Sequence, residues 1–186
     1  GYEKALAHHY RKPEEHRHRI EHCVITDDDL VRRMAKMGII PVSNCHFLPL
    51  NGSDYHRYFG DRINHFFAMR SYLDAGLRPT IGCDAPTASC EAVRGLDGAV
   101  NRIDRKTGEV VGPCQRISML EAIRCYTLNG AYASFEDDIK GSIEVGKLAD
   151  FTIFSQDILN MDPMNIVNVN VDYTIIDGKI CYEREH

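Results

Sequence analysis

The sequence lacks most of the features that would assign it at a glance. No run approaches the roughly 20 unbroken apolar residues of a membrane-spanning helix. There is no excess of positive charge: Lys and Arg number 22 against 27 Asp and Glu, a net charge of −5. That balance gives no general attraction for nucleic acid or an anionic membrane surface. The seven cysteines (Cys23, Cys45, Cys83, Cys90, Cys114, Cys125 and Cys181) contain no Cys-x-x-Cys pair, which argues against a cysteine zinc cluster. Their odd number and apolar surroundings read as reduced thiols of a cytoplasmic protein. The opening Gly1-Tyr2-Glu3-Lys4 lacks the apolar core of a signal peptide. No internal repeat or low-complexity tract interrupts the chain.

What is present is enough apolar residue, 44% of 186, to bury one core and a small appendage. Tyr2 to Tyr10 reads as a helix without an N-cap, broken at Pro13. His18 to Val24 reads as a first strand. Thr26 is a candidate cap for a helix whose acidic start, Asp27-Asp28-Asp29, suits the positive end of the helix dipole. Leu30, Met34 and Met37 form its apolar stripe, and Gly38 ends it. Ile39 to Ser43 is the second strand. Strand, helix, strand predicts a parallel pair with a right-handed crossover.

Asn44 to Asp61 is expected to be a polar loop, with Tyr55, His56 and Tyr58 as candidates for a substrate mouth. A helix is expected over 63–75, with Arg70 on a face suited to a salt bridge, and a third strand over 77–83 that Pro86 stops. Residues 85–116 read as mostly irregular, and loops of this length are commonly functional. Ser118-x-x-Glu121 is a capping box opening a helix to about Ser134. Strands at 151–154 and 173–176 follow. Asp150 fixes the turn into the first of them, and Asp177-Gly178 is a hairpin turn into Lys179–Tyr182.

Side chains alternate along a strand, so His18, Ile20 and His22 are expected on one face and Arg19 and Glu21, as a pair, on the other. His22 and Asp84 both fall at the carboxyl ends of predicted parallel strands, where α/β folds bind ligands. Imidazole and carboxylate are good zinc ligands, and a carboxylate beside a zinc-bound water can move its proton. From spacing alone a structural account stays open. His22 could be a core histidine bonded to a backbone carbonyl, and Asp84 a cap of the loop before Pro86.

The segment Arg17-His-Arg-Ile-Glu-His22 resembles the sixth barrel strand of the amidohydrolase superfamily, in its type-3 branch, which includes N-substituted formamide deformylases. Arg70 to Gly76 with Ile81-Gly-Cys-Asp-Ala-Pro86 is similar to that branch's seventh helix and eighth strand. Ser118 to Ile123 with Tyr126-Thr127, then Gly141 to Asp150, resembles its eighth helix and the return to a small β-domain, which 171–182 would close. The resemblance implies an α/β chain: the C-terminal part of a (β/α)8 barrel, about strands 6 to 8, over 1–140, and part of a small β-sandwich over 141–186. It implies one or two divalent metals, zinc first. His22 would be a metal ligand, and Asp84 both a ligand and the proton-moving carboxylate. It offers His46 as a substrate contact. The implied reaction is hydrolysis of a C–N bond in an amide-like small molecule by a metal-activated water.

The family's remaining ligands, on its first, fourth and fifth strands, have no counterpart here. A full barrel takes about 250 residues. The chain is therefore expected to be the C-terminal part of a longer enzyme. Its exposed sheet edge should pair with a second copy or with an N-terminal portion. The competing expectation is a non-catalytic chain that folds and associates but holds no metal.

Overall fold

The computed structural model describes residues 1–185. Helix α1 (Tyr2–His8) and the single turn α2 (Pro13–His16) lead into β1 (Arg19–Ile20). Helix α3 (Asp28–Met37) crosses to β2 (Ile40–Ser43). Helix α4 (Phe47–Phe59), a 3-10 segment (Gly60–His65) and α5 (Met69–Asp74) lead to β3 (Thr80–Ile81). The three strands form a parallel sheet in the order β1-β2-β3, with Ile20 opposite Pro41 and Ser43 opposite Ile81. The predicted parallel pair is present, but the strands are shorter than expected. Positive φ at His22 (65°) and Cys23 (38°) ends β1 before the histidine, so His22 does not continue the alternation of His18 and Ile20. Arg19 and Glu21 do pair, at 2.9 Å, in solvent rather than in a covered strand.

Helices α7 (Met119–Tyr126) and α8 (Leu128–Ala133) pack against β3, and α6 (Ala92–Val100) packs against α4 and α7. An antiparallel sheet follows, β4 (Phe151–Phe154), β5 (Val171–Ile176) and β6 (Lys179–Glu183), in that order. Asp177 and Gly178 take positive φ of 50° and 74°, as a two-residue hairpin turn of this kind requires. The Asp150 carboxylate accepts from the Asp177 amide at 2.8 Å, tying the entry of β4 to that turn. Among the described residues no helix is long and apolar enough to cross a membrane.

Two segments expected as loops are helical. Helix α4 occupies most of 44–61. Pro49 lies in its first turn, where proline costs no helix hydrogen bond, and Gly52 lets the helix approach Val111, whose Cγ2 would lie 2.9 Å from a Cβ there. Helix α6 falls within 85–116. Its glycines are packing positions rather than breaks, since a Cβ at Gly98 would lie 1.9 Å from the Cys45 carbonyl oxygen. Conversely, the helix expected over 63–75 is interrupted at Phe66–Ala68, where Phe66 and Phe67 turn into the core. The helix cap before Leu30 is Asp27, which accepts from the Leu30 amide at 2.9 Å. Thr26 instead is buried against the Tyr72 hydroxyl.

The reason for the interruption at 66–68 is Arg102. Its side chain is fully buried. Nε donates to Val111 O at 2.9 Å, Nη2 to Phe66 O at 2.9 Å and Nη1 to Phe67 O at 3.2 Å. Burial pulls the guanidinium down to about 10, still cationic at neutral pH. Gly112, at φ 54°, completes the niche: a Cβ there would meet Nη2 at 2.9 Å. Replacing Arg102 by Met keeps the stem but leaves the Phe66 and Val111 carbonyls without a donor, while Phe67 O keeps the Met69 amide at 2.7 Å. At about 1–3 kcal/mol for each stranded group, urea unfolding should show a loss of at least about 2 kcal/mol. A loss under about 1 kcal/mol would contradict this account.

Behind the sheet, Arg70 joins α5 to α7. Its Nη1 donates to Glu121 at 2.9 Å, and Glu121 also completes the predicted capping box with Ser118. Arg70 Nε lies 2.9 Å from Asp74, off the hydrogen-bond line, so that contact is one of charge. The Arg70 guanidinium holds the Glu121 carboxyl down at about 2. A lowered native pKa stabilises above the unfolded value near 4.5 and is lost as pH falls toward 2. The stability gap between wild type and Arg70→Met, followed by urea unfolding from about pH 6 downward, should therefore narrow with acid. A gap that stays constant with pH would contradict it.

Candidate metal centre

His22 and Asp84 leave the carboxyl ends of β1 and β3 and meet across the end of β2. His22 Nε2 lies 3.9 Å from Asp84 Oδ2, with the side chains 50% and 39% exposed. Both residues have positive φ, 65° and 57°. Each strand thus turns sharply at the residue that carries the functional side chain.

The turn at His22 is anchored from behind. The Cys23 carbonyl accepts from the Tyr72 hydroxyl at 3.2 Å, the Phe67 amide donates to Val24 O at 2.8 Å, and the Thr26 amide donates to His65 O at 3.0 Å. The turn at Asp84 is anchored by β2, because the Gly82 amide donates to Ser43 O at 3.0 Å. Strand pairing thus brings together the two residues expected from the sequence, without a direct hydrogen bond between them.

Asn44, the first residue after β2, was not singled out by sequence reasoning. Its Nδ2 lies 3.3 Å from His22 Nδ1. An amide nitrogen only donates, so this arrangement leaves the imidazole proton on Nε2, toward Asp84. A metal on Nε2 would need the opposite tautomer, which Asn44 would support only with its amide turned so that Oδ1 faces Nδ1–H. Its place at the carboxyl end of a parallel strand was the signal that could have found it.

His46 is covered, 2% exposed. Its Nδ1 lies 3.1 Å from Gly82 O and its Nε2 3.3 Å from the Tyr126 hydroxyl. Burial lowers its pKa, which favours the neutral ring. Of the other loop candidates, His56 pairs with Glu109, Tyr55 packs on Phe66, and Tyr58 is exposed. A cavity of about 430 Å3, lined by Tyr2, Ile20, His22, Cys23 and Met34 among others, lies beside His22 and does not reach Asp84.

The donor pair stands near the spacing of a metal shell. Two donors each about 2.1 Å from a tetrahedral ion lie about 3.4 Å apart, and these are 3.9 Å apart, so the exposed side chains would have to close slightly on an ion. Among the described residues no group of three or more His, Cys, Asp or Glu could hold an ion. The pair therefore offers two positions of a shell that needs more.

Parallel strands joined by helices, with a histidine and a carboxylate at their carboxyl ends, make this an α/β fold, and solved structures agree on it. An uncharacterized metal-dependent hydrolase from Pyrococcus furiosus matches with a TM-score of 0.58 at 25% identity, over 70% of this chain and 26% of that one. The guanine deaminase of E. coli matches with a TM-score of 0.62 at 19% identity, over 88% and 38%. Residues 2–182 match the model of the amidohydrolase family. The chain belongs to that family, in its type-3 branch. An N-substituted formamide deformylase of Arthrobacter pascens is 32% identical over 168 residues, 89% of this chain and 31% of that protein. A putative amidohydrolase of Bacillus subtilis, YtcJ, is 31% identical over 181 residues, 92% and 33%. The chain thus spans about a third of the length of these curated relatives.

Proposed function

We propose that this chain carries one side of the active site of a metal-dependent hydrolase that cleaves a C–N bond in an amide-like small molecule. The observation that carries the reading is the 3.9 Å approach of His22 Nε2 to Asp84 Oδ2 at the carboxyl ends of parallel strands, in a chain of the amidohydrolase family. In this reading β1, β2 and β3 are the sixth, seventh and eighth strands of a (β/α)8 barrel within 1–140. Strands β4 to β6 are part of a small β-sandwich within 141–186. The outer edges of β1 and β3 then take further strands, from an N-terminal portion or a second copy, and the missing ligands come with them.

His22 would hold the metal, with Asn44 beside its other ring nitrogen, and the Asp84 carboxylate would be a second ligand. Zinc suits this nitrogen and oxygen pair. When bound, such an ion lowers the pKa of water to about 7 and polarises a carbonyl. Asp84 is exposed enough to meet substrate. Its Oδ2 accepts the proton of the attacking water and returns it to the leaving nitrogen.

A second reading has its own observation. Among the described residues only two donors converge, which suits a chain that folds and associates but holds no metal. One experiment separates the two: metal content together with formate release from a simple N-substituted formamide. The hydrolase reading expects turnover that is lost on chelation and restored by zinc. It also expects kcat at least about 100-fold lower in Asp84→Asn, with KM little changed. Undiminished turnover in Asp84→Asn would remove the carboxylate from the mechanism. Absence of both metal and formate when the chain is joined to an N-terminal portion that supplies the missing ligands would favour the non-catalytic chain.

A further inference from the structure

His46 was offered by family resemblance as a substrate contact, and its surroundings give it a different use. It lies three residues beyond β2, and its ring reaches across to the end of β3. A carbonyl oxygen can only accept, so the 3.1 Å contact with Gly82 O makes Nδ1 the donor. In the neutral ring Nε2 is then an acceptor, and the Tyr126 hydroxyl at 3.3 Å must donate to it. Burial raises the Tyr126 pKa well above its ordinary value, so that hydroxyl keeps its proton. In the neutral ring with its proton on Nδ1, the relay runs from Tyr126 O–H to His46 and from His46 N–H to the Gly82 carbonyl, and the Glu91 backbone is a further hydrogen-bond partner of the ring.

The space for this relay is built into α6. A Cβ at Gly95 would lie 1.9 Å from the Tyr126 hydroxyl oxygen and 2.4 Å from His46 Cε1. Position 95 therefore takes no side chain while the relay stands. Gly82 is held on both sides, its amide by Ser43 O and its carbonyl by His46. Two residues further on, the backbone turns at φ 57° and presents Asp84 to His22.

We propose that His46 is a positioning residue for Asp84: held in one tautomer by Tyr126, it clamps the Gly82 carbonyl and so sets where the Asp84 carboxylate stands relative to His22. This rests on the reading of Asp84 as a metal ligand. The geometric part of the claim does not.

The test compares wild type with His46→Leu, His46→Asn and Tyr126→Phe in the full chain. Asparagine places an N–H near the position of Nδ1 and keeps the bond to Gly82, whereas leucine fills the space without donating. Two quantities are measured: zinc affinity by titration against a chromogenic chelator, and amide hydrogen exchange at Gly82 and Asp84. In His46→Leu, zinc affinity should fall about 10–100-fold, the range for residues that orient a ligand without touching the metal. Exchange at Gly82 should rise up to about tenfold, the factor that loss of one net hydrogen bond implies. His46→Asn should recover most of both, and Tyr126→Phe should fall between. Should His46→Leu fail to fold, His46→Asn and Tyr126→Phe carry the comparison, and Tyr126→Phe must still loosen Gly82 relative to His46→Asn. If the variants fold with zinc affinity and Gly82 exchange as in wild type, His46 is a core histidine and the proposal is overturned. If wild type takes up no zinc, the metal reading fails separately, and the exchange at Gly82 alone decides whether His46 is a clamp.

Discussion

The buried guanidinium of Arg102 is the interaction on which the geometry of this chain depends. Its three bonds go to carbonyls of segments far apart in sequence, Phe66, Phe67 and Val111. A fully covered cation is costly unless its donors are satisfied, so those carbonyls have to converge on it. Their convergence forces the chain out of helix at Phe66–Ala68. The same stretch pairs with Val24 and Ile25. That pairing receives the chain as it turns at His22, so a side chain deep in the core sets the direction in which a surface imidazole leaves its strand.

The second constraint is β2. It is the central strand, hydrogen-bonded to β1 on one side and β3 on the other. Because all three run parallel, their carboxyl ends lie together, and His22, Asn44, His46 and Asp84 are gathered there from a stretch of 63 residues, 22 to 84 inclusive. The positive φ values at His22 and Asp84 are the kind of strained backbone that concentrates at functional sites.

Much of this was legible in the sequence. The Asp-rich helix start, Gly38, the capping box at Ser118 and the Asp177-Gly178 turn are local signals, and each marks a real boundary. The pairing of His22 with Asp84 was suggested by their places near the ends of parallel strands, and it was the family resemblance that singled it out, since spacing alone left a structural account open. Helices α4 and α6 were not, because Gly52, Gly95 and Gly98 look like breakers until their close neighbours are known. The break at 66–68 was invisible for the same reason: its cause, Arg102, lies more than thirty residues further on. Asn44 was marked only by its place at the end of β2, and the part played by Tyr126 could not be read, since it depends on which ring nitrogen faces which neighbour. Only the assembled strand ends decide that.

The most direct test of the account is to titrate zinc into the protein while following the imidazole nitrogens of all nine histidines by NMR. The account predicts that Nε2 of His22 shifts as metal is added, that the proton of its ring moves to Nδ1 beside Asn44, and that Asp84→Asn weakens the response. A zinc response confined to other histidines, with His22 unmoved, would contradict it.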